Sequence, residues 1–470
     1  MTKYRGTMPP EFPELSEMDQ GYSLLIKGLP GTGKSSLSLE LVSHLPNSFF
    51  ISTRISPEVV MQDFPWVLDE IPENRKYPFF VDATRSGSQT SNNNISKMKF
   101  ETIPEFVQQL FTLGADLSNK VIAIDSWNAL IVNLSESQIS HWASAIVQHL
   151  RAETSKIIFV VEGVQATSLD WTVDGITVLS KRTITSTHGI SRRIRELSFH
   201  KMRGREIYNE TYLTSLAKGR LMTFYPFKYR FPAIILKSEV ITDPDDHHLS
   251  TGSIGFDDLL GGGLERGSWN LFEVTTTIGD ALDIVFMPLI TNHLNNKRPA
   301  ITIFREGVSF DSNQPYLDVF TGSKKWIEQT VNIERFVPEK TSNRFELPDK
   351  IDQLLDILEI SKQSLRKEIG GPFLINLGLD TLENKYGIPA LNEFIAITVS
   401  KARLEGDVIV GWLKENQEFR GGTTAATSHW KLDLINRALV LEGIIPATEY
   451  YAISPILSKG YIDYKLTPII

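Results

Sequence analysis

A chain of 470 residues, 41% hydrophobic and 22% charged, is long enough for two domains with separate cores. A formal net charge of -8 argues against a protein that coats nucleic acid through bulk positive charge, and the absence of cysteine excludes disulfides, thiolate metal sites and cysteine nucleophiles. No apolar run approaches the roughly 20 residues of a membrane helix, and residues 1–19 lack the basic start and apolar core of a signal peptide, so no membrane is expected and a cytoplasmic location is.

From Gly21 onward, short apolar runs alternate with amphipathic stretches. Residues 23–27, 49–53, 121–125, 157–161 and 176–179 read as strands, with 35–44 and 103–113 as helices between them. This alternation predicts an α/β fold, a mostly parallel doubly wound sheet flanked by helices. The polar stretch 84–96, rich in Ser, Asn and Gly, reads as a loop. The expected divisions are an extension (1–19), a first domain (20–228), a connector (229–249), a second domain (250–453) and a tail (454–470) that adds a strand or packs on a neighbouring subunit. His247-His248 in the connector has no regular ligand spacing and reads as solvated.

The second domain repeats the order of features of the first. Residues 21–37 align without gaps on 267–283, Phe50–Arg54 matches Ile301–Arg305 after about five extra residues, and Ile124-Asp125-Ser126 matches Leu379-Asp380-Thr381. The chain reads as an internal duplication.

Gly28-Leu29-Pro30-Gly31-Thr32-Gly33-Lys34-Ser35 fits G-x-x-x-x-G-K-[ST] between a predicted strand and a predicted helix, the context the motif requires. Glycines let backbone N–H groups and a helix N-terminus close around phosphates. Lys34 is expected to reach the β and γ phosphates and the Ser35 hydroxyl to ligate Mg2+, with Ser36 completing the ATP-binding turn. Asp125, closing the apolar run Val121-Ile-Ala-Ile, is expected to hold the hydrated Mg2+.

Three segments resemble RecA-superfamily ATPases similar to KaiC: the P-loop with Ile124-Asp125-Ser126; Asp174-Gly175 with Arg192-Arg193 and Lys201-Met202-Arg203-Gly204; and Ser250-Thr-Gly-Ser-Ile-Gly255 leading to Leu259-Leu-Gly-Gly-Gly-Leu-Glu-Arg-Gly267. The resemblance implies two tandem RecA-like P-loop domains. Within it, Phe49-Phe-Ile-Ser-Thr-Arg-Ile-Ser-Pro57 and Phe79-Phe-Val-Asp-Ala-Thr84 are closer to archaeal proteins similar to the gas vesicle regulator GvpD. In KaiC-like rings a Lys-x-Arg pair from one subunit reaches its neighbour's γ-phosphate, and Lys201 and Arg203 occupy that pattern. A homo-oligomeric ring is then implied, a hexamer among its sizes, as is a protein regulatory partner. The alternative for Lys201 and Arg203 is a solvated basic turn.

The sequence departs from the family where two glutamates usually end the second strand. Arg54 and Ile55 stand there, and a cation cannot act as the base for water. Glu58, Asp82 or Glu162 could take that role. Glu162, closing the run 157–161, is the candidate general base, with a solvated strand end as its alternative. Arg54 is read as a surface ion pair, or as a ligand for phosphate or a neighbour's carboxylate. In the repeat, Val274, Asp280 and Ala281 replace Gly28, Lys34 and Ser35, and 439–445 lacks the Lys-x-Arg pair, so the second domain is expected to be structural.

The expected function is a regulatory ATPase that hydrolyses ATP slowly in its first domain and acts through nucleotide-dependent assembly or partner binding. One alternative is a RecA-like recombination or repair ATPase. There the basic residues from Lys181 to Arg205 would bind nucleic acid and Tyr208, Tyr212 and Phe224 would stack on bases; the acidic overall charge disfavours it. The other alternative is a pseudo-ATPase scaffold that binds nucleotide without turnover.

Overall fold

The computed structural model describes residues 8–12, 18–84, 95–186, 188–228, 239–275, 278, 282–337, 341–415, 417–419, 425–456 and 463–470. The chain divides into two compact units, Met1–Tyr225 with Ile469–Ile470, and Pro226–Pro468.

In the first unit the strands are β1 (Tyr22–Gly28), β2 (Ser48–Ser52), β3 (Phe80–Asp82), β4 (Ile95–Lys97), β5 (Val121–Asp125), β6 (Lys156–Glu162), β7 (Gly175–Thr185), β8 (Ser191–Met202), β9 (Thr211–Ser215) and β10 (Met222–Phe224). They form one sheet in the order β10-β9-β8-β7-β1-β6-β5-β2-β3-β4. The seven strands from β7 to β4 run parallel, and β7 to β10 continue as an antiparallel meander. Helices α1 (Lys34–Val42), α2 (Pro57–Asp63), α3 (Trp66–Glu70), α4 (Ile103–Thr112), α5 (Trp127–Ile131), α6 (Glu136–Ala152) and α7 (Ser168–Thr172) lie among these strands.

The central strands are continuous apolar runs because both faces are covered. Alternate residues feed two cores: Leu24 and Ile26 pack with Leu37 and Leu41 of α1, while Leu25 packs with Phe106 of α4 and Ile146 of α6. The expected loop 84–96 is shortened from its far end, since Ile95 and Ser96 belong to β4, paired with Phe80 and Val81; residues 85–94 lie outside the described set.

The second unit opens with a two-stranded ribbon, β11 (His248–Leu249) and β12 (Leu264–Glu265), around α8 (Ile254–Leu260). Asp257 organises this lead-in. Its buried carboxylate accepts from Ser250 Oγ at 2.5 Å, Thr251 N at 2.7 Å and Thr251 Oγ1 at 2.6 Å, and its carbonyl accepts from Gly262 N and Gly263 N. Asp257→Ala leaves those buried donors unsatisfied and is expected to cost about 2–3 kcal/mol. Calorimetry should show the loss in the second unit's transition, with the first unit's unchanged.

The second sheet contains β13 (Trp269–Val274), β14 (Ala300–Ile303), β15 (Thr330–Glu334), β16 (Arg344–Glu346), β17 (Leu374–Gly378), β18 (Val408–Lys414), β19 (Ser428–Ile435), β20 (Ala438–Ile445), β21 (Tyr450–Ile456) and β22 (Asp463–Pro468). Its order, β22-β21-β20-β19-β13-β18-β17-β14-β15-β16, matches the first sheet strand for strand. The parallel and antiparallel pairings also coincide. The duplication expected from short matches is therefore a duplication of topology. Helices α9 (Asp283–Asn295), α10 (Phe310–Thr321), α11 (Ile351–Glu368) and α12 (Leu379–Glu405), broken at Gly387, complete it.

The sequence-drawn tail contributes β22, the edge strand beside β21. The described part of the drawn connector, 239–249, belongs to the second unit, where Asp243 pairs with Arg298 and accepts from Ser250 N. Among the described residues, no helix is long and apolar enough to cross a membrane.

Candidate functional site

Doubly wound sheets bind ligands beyond the carboxyl ends of their strands. In the first unit that edge carries Gly28 at the end of β1, Asp125 at the end of β5, Glu162 at the end of β6 and Arg54 two residues past β2. Gly28 pairs directly with Glu162 across β1 and β6.

The loop from Gly28 to Gly33 is a glycine structure for steric reasons. A Cβ on Gly28 would lie 2.5 Å from the Leu179 carbonyl oxygen and 2.6 Å from Thr32 Oγ1. Gly33, at φ 105°, is the N-cap of α1, a left-handed conformation that disfavours a side chain. Thr32 Oγ1 donates to the Leu29 carbonyl at 2.8 Å, and Lys34 Nζ donates to the same carbonyl at 2.9 Å, so the lysine lies back along the loop. Burial pushes the Lys34 ammonium below its ordinary pKa; the negative charges of Glu162 and Asp125 oppose this, and the positive charges of Arg54 and Lys181 add to it.

The Ser35 hydroxyl stands beside the Asp125 carboxylate and works to lower its pKa. Burial raises the Asp125 pKa, against the Ser35 hydroxyl and the charges of Lys34 and Arg54. Thr53 latches the ends of β2 and β5 together: its N–H donates to Asp125 O at 2.9 Å, its hydroxyl donates to Ser126 O, and it accepts from Ser126 N. A hydroxyl and a carboxylate, hard oxygen ligands, thus meet beside an ammonium and a loop of backbone N–H groups. That donor set fits Mg2+ bound to a phosphate chain.

Glu162 faces this cluster, and its carboxylate accepts from the guanidinium of Arg54. The ion pair expected for Arg54 is present, with a carboxylate of its own chain. Asn128 Oδ1 accepts from the Glu162 N–H at 2.7 Å and fixes the strand end. Asp82, another carboxylate considered from sequence, turns away to accept from Thr84 N and Oγ1.

Lys201 and Arg203 lie elsewhere. Lys201 stands opposite Ile176 and Met202 opposite Gly175, at the start of β7, while the P-loop follows the end of β1, which runs parallel to β7. Lys201 Nζ donates to the Asp170 carbonyl at 2.9 Å, and Arg203 pairs with Asp174 at 3.1 Å. Of the three aromatic residues proposed to stack on bases, Tyr212 and Phe224 are buried in the core and only Tyr208 is exposed. Tyr212 also donates to the buried Glu11. Buried so, Tyr212 and Phe224 cannot stack on bases.

Two residues set against the phosphate loop were read from sequence only as parts of a basic cluster. Arg195 donates from Nη1 to the Gly31 carbonyl at 2.6 Å, and a Cβ on Gly31 would lie 3.2 Å from Lys181 Nζ. The sequence signal was their pairing across a hairpin, visible only once the register is known.

In the second unit the corresponding edge has a different construction. Gly279, Asp280 and Ala281 lie outside the described residues. Val274 faces Lys414 as Gly28 faces Glu162, so a cation replaces the candidate base. The same register corrects one sequence match. Asp125 pairs with Val160 and Gly378 with Trp412, so Gly378 occupies the place of Asp125, and Asp380 lies two residues on, in α12. The Asp380 carboxylate pairs with Lys414 Nζ at 2.6 Å, and Glu306 pairs with Arg335.

Residues 13–199 match a family model described as the P-loop domain of the GvpD gas vesicle protein. Two relatives from Halobacterium salinarum are similar over longer spans. Protein GvpD1 is 26% identical over 335 residues, 65% of this chain and 58% of its own length. Protein GvpD2 is 22% identical over 494 residues, 96% of this chain and 94% of its own. The GvpD resemblance read from residues 49–57 and 79–84 is borne out, and the match to GvpD1 spans less than two thirds of that relative.

Proposed function

We propose, on the premise that the chain is a GvpD-like P-loop protein, that its first unit binds Mg-ATP and that the bound nucleotide biases regulatory assembly or partner binding. The observation carrying this reading is the glycine loop capping α1, with Lys34 laid along it and Ser35 and Asp125 together beside the lysine. In the bound state the loop N–H groups and Lys34 hold phosphate, Ser35 and Asp125 hold Mg2+, and the metal supplies charge neutralisation for phosphoryl transfer. The second unit, with Lys414 tied to Asp380, serves as scaffold or partner surface.

Turnover, where it occurs, is slow, because the candidate base Glu162 is held by Arg54. A second reading, nucleotide binding without turnover, draws on that same ion pair. Lys201 and Arg203 stand near the start of β7, away from their own P-loop, which supports a role toward the nucleotide of another copy in a cytoplasmic homo-oligomer. Exposed apolar side chains of the first unit, among them Leu29, Ile55, Val164 and Trp171, suit such a contact.

Mass measurement of the full chain with and without Mg-ATP, alongside a binding titration, tests this reading. Mg-dependent ATP binding with a shift in assembly state is expected. Failure of ATP to bind in either metal condition would sink it. Lys201→Ala with Arg203→Ala is expected to lower phosphate release at least tenfold while sparing ATP affinity. A monomeric wild type with full activity would remove the intersubunit role.

A further inference from the structure

β7 pairs with β1 only from Gly175 to Val178, yet it pairs with β8 as far as Thr185 and Ser191. The hairpin therefore continues past the carboxyl end of β1, alongside the phosphate loop. Lys181 and Arg195 stand directly opposite each other on it. Like charges directly across an antiparallel pair destabilise it. Among the described residues Lys181 makes no ion pair, and Arg195 donates to the Gly31 carbonyl and, through Nε, to the Ile470 oxygen.

The second unit supplies an internal comparison. Lys27 pairs with Val178 and Glu273 with Lys431, so the positions matching Lys181 and Arg195 are Leu434 and Leu439, which also face each other. The cation pair accompanies the intact P-loop, and a leucine pair accompanies the altered one.

We propose that Lys181 and Arg195 form a cationic clamp on the phosphate chain of the nucleotide held by their own chain's P-loop. The proposal rests on the nucleotide reading above and extends it with two ligands from the hairpin. An anion between the two side chains relieves their mutual repulsion and takes the Arg195 donor from Gly31, which ties the hairpin to the presence of nucleotide. Burial, followed by the charges of Arg195 and Arg193, already lowers the Lys181 pKa, the direction expected of an ammonium awaiting an anion.

The test titrates the full-length wild type, Lys34→Ala, Lys181→Ala/Arg195→Ala and Lys181→Arg/Arg195→Lys with Mg-ATP, Mg-ADP and adenosine. The double alanine variant is expected to bind Mg-ATP about ten- to a hundredfold more weakly, the effect of losing charge-assisted hydrogen bonds. Its adenosine affinity should stay unchanged and its thermal midpoint should not fall, and the conservative pair should restore ATP binding to within about threefold. ATP affinity in the double alanine variant within twofold of wild type overturns the clamp, as does equal weakening toward ATP and adenosine. If wild type binds ATP no better than Lys34→Ala, the nucleotide reading itself fails, a result distinct from failure of the clamp.

Discussion

Lys34→Ala is expected to weaken Mg-ATP binding by about two orders of magnitude and to reduce phosphate release to background, because it removes the P-loop ammonium that reaches the terminal phosphates. The side chain is almost fully buried at the start of α1, with Nζ on the Leu29 carbonyl. A phosphate chain competes well for it, since a charge-assisted hydrogen bond is about twice as strong as a neutral one. Alanine is the best helix former and leaves no buried cation behind, so folding should survive the change. Titration with ATP and a phosphate-release assay on the same preparation check the outcome. Equal ATP affinity in wild type and variant would refute the assignment, whereas equal background release with wild-type binding retained would leave a nucleotide-binding scaffold.

The P-loop was legible in the sequence because phosphate binding imposes residue types that nothing else demands in that order: glycines where a Cβ would strike Leu179 or Leu216, then lysine and serine. Asp125 was legible for a related reason, as a carboxylate ending an apolar run. The hairpin was not. The strand read as 176–179 continues to Thr185, because beyond Leu179 it leaves the sheet's covered interior and its residues turn polar on the exposed side. Only the antiparallel register reveals that Lys181 and Arg195 meet, which residue spacing across a turn of unknown length does not fix.

The altered site of the repeat shows the same limit. Asp380 looked like the partner of Asp125 because it follows an apolar run, but the matching position is Gly378, where a Cβ would lie 2.6 Å from Arg305 N. The backbone is too close there for a carboxylate. The nearby Asp380 is held by Lys414 at the position matching Glu162, so the second unit fills the place of an ion and a base with an internal ion pair. The topology is kept while the chemistry is lost, since topology depends on the apolar runs and chemistry on a few strand-end residues.

Glu162→Gln is expected to lower phosphate release by about a hundred- to a thousandfold with ATP affinity kept, the usual contribution of a general base. Arg54 sets how often that base is available. The Arg54 side chain is 57% exposed, and an ion pair so open to water contributes at most about 1 kcal/mol. At that strength about one molecule in six has the pair open, so Arg54 slows the reaction without locking it. Arg54→Ala should therefore raise phosphate release, by no more than about sixfold, and the gain should vanish when Glu162→Gln is present. Single-turnover release measured for wild type, both single variants and the double variant forms the cycle that separates the roles. If Arg54→Ala instead lowers release more than tenfold while Glu162→Gln is neutral, the charges trade places: Arg54 would be the residue acting on phosphate, and Glu162 only the carboxylate that positions it.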